Sequence, residues 1–194
     1  GANTAVAPLD DVRVRQAVAY ALDRERIAEQ VYSGFAEPSA VPWASSTGGV
    51  TTEQVERYAF DLEQGRALLE EAGAVGTEIE LTSFASDPAY AAVAEIVQFG
   101  LSEIGFEVNM MSYDQAQFVE QIQAASFKGL WVTPVALTTM GVTTAVLTAN
   151  PLKPEGNAHN FATPEYSAAV ESLVATTTSD ELATATGELT EYLL

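Results

Sequence analysis

An α/β fold, with a small and mostly parallel sheet flanked by helices, is what this sequence predicts. Three observations carry it. Short strand-like segments alternate with amphipathic segments between residues 78 and 135. The connections between them are short, as in parallel sheets with crossover helices. Capping residues stand just before each run of helical periodicity, at Asp61, Asp87, Asp114 and Thr163.

Taken in order, Asp10 and Asp11 precede Val14, Ala17, Val18, Ala21 and Leu22 at helical spacing. This predicts one helix over residues 11–32. Residues 33–58 carry Gly34, Pro38, Pro42, Gly48 and Gly49 and read as a long irregular loop. Loops of that length in a compact domain are usually functional or packed against something else. Asp61 and Gln64 begin the next helix, with Leu62, Leu68 and Leu69 on its apolar face and Gly73 as its stop. Residues 78–82 alternate with period two and predict a strand. Asp87 and Pro88 open a helix to Ile104 whose stripe is Val93, Ile96, Val97, Leu101 and Ile104. Residues 106–111 and 129–135 predict two more strands, with an Asp114-capped helix bearing Phe118, Val119 and Ile122 between them. Residues 137–149 read as a loop leading into a short helix, and residues 150–160 as loop. Two final helices start at Thr163–Pro164 and at Ser179–Asp180, the second reaching residue 194.

The chain has 194 residues, 47% hydrophobic and 18% charged, which suits one ordinary globular domain. Its formal net charge is −19. That balance repels phosphate backbones and anionic headgroups, so no nucleic-acid partner is expected. There is no cysteine, hence no disulfide, thiolate nucleophile or Cys-ligated zinc. His159, the only histidine, sits beside Asn160 without metal-ligand company, so no metal is expected. The carboxylate pairs Asp10–Asp11 and Glu70–Glu71 fit capping and solvated surface better than acid/base work. No nucleophile elbow, P-loop or dinucleotide fingerprint occurs, so no catalytic residue and no cofactor is expected.

Four segments resemble a known family. Residues 11–24, DVRVRQAVAYALDR, are similar to a characteristic helix of the bacterial extracellular solute-binding proteins, family 5, the dipeptide/oligopeptide/nickel type. Tyr58-Ala59-Phe60-Asp61 with Ala67-Leu68-Leu69-Glu70-Glu71-Ala72-Gly73 resembles a second. Residues 104–108, IGFEV, resemble its turn into a strand, and residues 160–173 its late helix start. The resemblance implies one lobe of a type II periplasmic-binding-protein-like fold. Residues 1–194 would form a single domain, the C-terminal lobe of a larger two-lobe protein, with the first lobe and the return segment outside them. It implies the substrate-binding component of an ABC importer, not an enzyme, closing by a hinge over a peptide or other small solute. Expected partners are that solute, the permease subunits and the first lobe, with the protein itself a monomer. The expected location is extracytoplasmic, periplasmic or lipid-anchored at the cell surface.

Ligands of open α/β sheets bind outside the carboxyl ends of the strands. The exit of the third strand is therefore the expected ligand segment: Trp131, Thr133, Val135, Thr138, Thr139 and Met140. In the peptide-binding members an acidic residue here pairs with the ligand's amine. This stretch has no acid, and Thr138 stands near that place, which implies a neutral, partly apolar ligand surface. Trp43, in the proline-bearing loop, is expected to cover the ligand or pack on the other lobe. For Trp131 the competing reading is simple core packing. The competing function is a small free-standing enzyme, or a ligand-sensing or receptor domain, built on a similar lobe.

Overall fold

The structure, a computed structural model, describes residues 1–85, 87–135 and 141–194. In chain order its elements are α1 (Val12–Tyr20), α2 (Arg24–Gln30), α3 (Thr52–Glu56), α4 (Leu62–Glu71), β1 (Glu78–Phe84), α5 (Pro88–Ile104) and β2 (Glu107–Tyr113). There follow α6 (Gln115–Ala124), β3 (Leu130–Trp131), α7 (Val142–Thr148), a 3-10 turn (Asn150–Leu152), α8 (Pro164–Val174) and α9 (Ser179–Leu193). They divide into two compact units. The first holds Gly1–Pro38, Tyr58–Pro134 and Ala158–Asn160; the second holds Ser39–Arg57, Val135–Asn157 and Phe161–Leu194.

The first unit contains the sheet, in the order β2-β1-β3 with both pairings parallel. β1 is central, and Ile79, Leu81, Thr82 and Ser83 along it are buried. A central strand covered on both sides needs such a run. α5 begins where the sequence predicts, with the Asp87 carboxylate accepting from the Ala89 N–H at 2.8 Å and Pro88 at the first position. It ends on Gly105, whose φ of 114° few side chains tolerate. Its buried stripe, with Val97, Leu101 and Ile104, joins Val14, Leu69, Leu81 and Leu130 in one core. Each such aliphatic side chain contributes about 1.5–3 kcal/mol by leaving water.

Three expectations change. Residues 11–32 form two helices, not one. The Ala21 N–H closes α1 on Ala17 and Val18, and the Asp23 carboxylate accepts from the Arg26 N–H at 2.9 Å to start α2. A short acidic side chain competes with the helical backbone and so favours a cap over an interior site. The third strand is two residues long, although Val132 N–H still donates to Thr82 O at 2.9 Å. Beyond it Pro134 has no donor to offer a ladder. Finally, α9 is capped by Thr178, one residue earlier than expected, in a capping box with Glu181.

The second unit takes up residues 39–57 of the span read as a loop. Thr51 and Gln54 form a capping box that starts α3. The Gln54 side chain donates to Gly187 O at 3.1 Å and to Glu191 Oε1 at 2.7 Å, both on α9. Arg57 pairs with Glu191 at 2.5 Å. Val41 and Trp43 are buried with Val146, Tyr166, Leu173 and Leu189 in this unit's own core. Residues 39–57 pack into this unit through turns and caps set by glycine and proline, so helical pattern matching misses them.

Candidate functional site

The three parallel strands deliver their carboxyl ends to one edge of the first unit. Phe84 and Tyr113 are register partners at the ends of β1 and β2, and the pairing continues as Ala85 N–H donates to Tyr113 O at 2.8 Å. α5 and α6 both start at this edge. Asp87 caps the first; Asp114 caps the second in a box with Gln117. Their N-terminal turns carry the positive ends of the helix dipoles, which these carboxylates offset.

An aromatic chain runs beneath the edge. Tyr90 meets Phe84 at 6.2 Å between ring centroids, and Phe84 meets Phe118 at 5.7 Å. Phe118 touches Phe127 at 5.1 Å, Phe127 stacks on Trp131 at 4.5 Å and 15°, and Trp131 meets His159 at 4.8 Å. Such pairs add about 0.5–1.5 kcal/mol beyond the area they bury. Burial pushes the Tyr90 hydroxyl pKa up, with Tyr32 and Asp87 adding to the effect. Burial likewise holds the His159 imidazole down at about 4, so it is neutral at pH 7. Its Nδ1 lies 3.2 Å from the Ala2 N–H and 2.9 Å from Ala2 O.

The expected ligand residues fall into three groups. Thr133 is half-buried and Val135 exposed on the segment that leaves β3. Trp131 is 4% exposed inside the aromatic chain, so its ring is core in the first unit. Trp43 is 5% exposed in the core of the second unit, where its indole N–H donates to Thr190 Oγ1 at 3.0 Å. The expectation that it covers a ligand or packs on another lobe gives way to this internal packing: a ring with a satisfied N–H has little surface left to offer. Thr138, Thr139 and Met140 lie outside the described residues. Sequence reasoning missed Phe84, Tyr90 and Tyr113. Their signal was position alone, at a strand exit or in the first turn of the following helix. Among the described residues no three His, Cys, Asp or Glu side chains are grouped to hold a metal ion, and no helix is long and apolar enough to cross a membrane.

Residues 1–141 match the bacterial extracellular solute-binding proteins, family 5 Middle. This chain belongs to that family. Family members are extracellular solute-binding proteins. The chain is 34% identical to heme-binding protein A of Haemophilus influenzae over 121 residues, which is 60% of this chain and 22% of that protein. It is 32% identical to the dipeptide-binding protein of Escherichia coli over 119 residues, 59% of this chain and 22% of that one. In three dimensions it resembles the oligopeptide-binding protein AppA of Bacillus subtilis, solved with a nonapeptide. The TM-score is 0.83 at 20% identity, over 100% of this chain and 41% of AppA. The chain thus spans well under half the length of these relatives. The likeness to AppA confirms the α/β periplasmic-binding-protein fold and the small parallel sheet that the sequence predicts.

Proposed function

We propose that residues 1–194 are one lobe of the substrate-binding component of an ABC importer. The lobe captures a peptide or another small solute at the carboxyl edge of its sheet and presents it to a permease. The observation that carries this reading is the family match over residues 1–141, which includes all three strands and the helices between them. The geometry suits it: a parallel sheet brings three strand ends and two capped helix starts to one edge. Capture needs no covalent chemistry, only a solute that binds the closed state better than the open one. The working surface is assigned to Thr133 and Val135 and to the segment carrying Thr138, Thr139 and Met140. Trp131 and Trp43 act as packing supports from within their units. The complete protein is assigned to the outside of the cytoplasmic membrane, held there in solution or by a lipid, and works as a monomer.

The test is to purify the complete protein from its host and identify any co-purified solute by mass spectrometry. Uptake of that solute is then measured in cells with and without the gene. The expected result is one unmodified solute whose uptake falls when the gene is removed. Chemical turnover of the solute by the pure protein, with uptake unaffected, would favour an enzyme and end this reading. Half of a shared site binds weakly, so calorimetry on the isolated chain should give far lower affinity than on the complete protein. Tight one-to-one binding by residues 1–194 alone would contradict the shared cleft.

A further inference from the structure

The second unit holds a groove built without any residue of the sheet. It is lined by α7, α8 and the loop of residues 153–155, and its volume is about 560 Å³. That is the size of a small-molecule site. Its apolar wall is Leu147 from α7, with Val170 and Val174 one turn apart on α8. Leu147 is 50% exposed and Val174 44%, so the wall has surface to offer. Lys153, Glu155 and Glu171 are the charged residues of the lining.

These charges are unanswered within the protein. Every arginine has a partner. Arg13 and Arg57 pair with carboxylates, while Arg15, Arg24, Arg26 and Arg66 donate to Leu9 O, Tyr58 O, Gln30 Oε1 and Glu103 O. Of the lysines, Lys128 is exposed to water and Lys153 is half-buried. Among the described residues the Lys153 ammonium makes no ion pair and no hydrogen bond, although Glu155 and Glu171 line the same groove. A partly desolvated charge without a counter-charge is costly, and a ligand carboxylate would answer it. Glu171 stands in the opposite position. It lies in the last turn of α8, at the negative end of the helix dipole, and no basic residue accompanies it in that turn. A cation is what that place favours.

We propose that this groove is a ligand site distinct from the sheet edge, and that it takes a small zwitterion with an apolar body, the class of the aliphatic α-amino acids. The ligand's ammonium meets Glu171 and the negative end of α8. Its carboxylate meets Lys153, and its side chain lies on Leu147, Val170 and Val174. A zwitterion has no net charge, so the protein's −19 does not repel it as it would a simple anion. The site is independent of the importer reading, because every residue in it belongs to the second unit and none to the strands or their exits.

The experiment titrates the isotope-labelled chain with leucine, isocaproate and isopentylamine at equal ionic strength and follows amide shifts by NMR. Isocaproate is leucine without its ammonium, and isopentylamine is leucine without its carboxylate. Leucine is expected to shift the amides of Leu147, Lys153 and Glu171 and to bind about fivefold or more tightly than either other probe. In Lys153→Gln leucine should bind no better than isopentylamine, and in Glu171→Gln no better than isocaproate. Unmoved amides in the first unit, and retained binding of the amine by Lys153→Gln, show that the variants are folded. Equal affinities for the three probes, or a leucine preference that survives either variant, overturn the proposal and reduce the groove to an apolar surface. Leucine shifts confined to Ala85 and Tyr113 at the sheet edge overturn it too, and leave the importer reading standing. So does the absence of any shift at the groove.

Discussion

Gly100 is where the first unit has least room, and Gly100→Ala tests the packing there. A Cβ built at Gly100 falls 2.0 Å from the Ala21 carbonyl oxygen and 3.1 Å from its carbon. Both are backbone atoms at the end of α1, so no side chain can rotate away. Two effects oppose each other. Alanine in a helix interior gains about 0.5–1 kcal/mol over glycine. Overpacking a tight contact costs about 1–3 kcal/mol. An overlap this deep belongs at the upper end of that range, because α5 must shift together with its buried neighbours Val97, Leu101 and Ile104. The net expectation is a loss of about 2 kcal/mol. Gly65→Ala is the control. Its Cβ would lie 3.1 Å from Ala17 O and 3.1 Å from Ile104 Cγ2, so a few tenths of an ångström suffice and the change should be close to neutral. Urea unfolding, followed through Trp131 fluorescence in a Trp43→Phe background, reports on the first unit. A difference of about 2 kcal/mol should separate the two midpoints by about 1 M urea. If Gly100→Ala proves as stable as Gly65→Ala, α1 and α5 do not approach as closely as described, and the packing reasoning fails.

Three further predictions concern other parts of the molecule. Thr190→Val keeps the shape but removes the acceptor for the Trp43 indole N–H, now at 3.0 Å. The second unit should lose about 1–3 kcal/mol by chemical denaturation, and an unchanged midpoint would mean that water replaces the hydroxyl. His159 titrates near 6.5 when unfolded and near 4 when folded, chiefly through burial. The folded state therefore refuses a proton that the unfolded state accepts. Stability from this group is complete above pH 6.5 and is lost as pH falls toward 4, by an amount on the order of 3 kcal/mol. His159→Gln should flatten that part of the stability–pH curve; a curve of unchanged slope would place the acid sensitivity elsewhere. Trp131→Ala removes the ring between Phe127 and His159 and should cost about 3–5 kcal/mol. A small loss there would argue that the ring faces a solute cleft and not the core.

Local chemistry specifies much of this fold without reference to any tertiary contact. Asp87–Pro88, Asp114 and Gly105 carry their own start and stop signals, so the starts of α5 and α6 and the end of α5 were legible in residue types alone. So was the strand–helix alternation, because burying one face of a sheet and one stripe of a helix imposes periods of 2 and 3.6 residues on the chain. The break at residues 21–23 was less visible, since Asp23 had to be weighed against a continuous apolar stripe. The family was legible too, in the words of residues 11–24 and 58–73.

Only the tertiary structure decided which of these residues face inward. Trp43 and Trp131 look alike in sequence, each a large aromatic in a stretch with proline nearby. Both proved to be interior, one because Thr190, 147 residues later, receives its N–H, and the other because Phe127 and His159 close on its ring. The acidic and aromatic character of the sheet edge was equally hidden. Asp87 and Asp114 read as caps, and only the parallel register of β1 and β2 brings their loops together. Periodicity is a local property, whereas a binding surface is made by residues distant along the chain, and their meeting is fixed by strand order and not by any single segment.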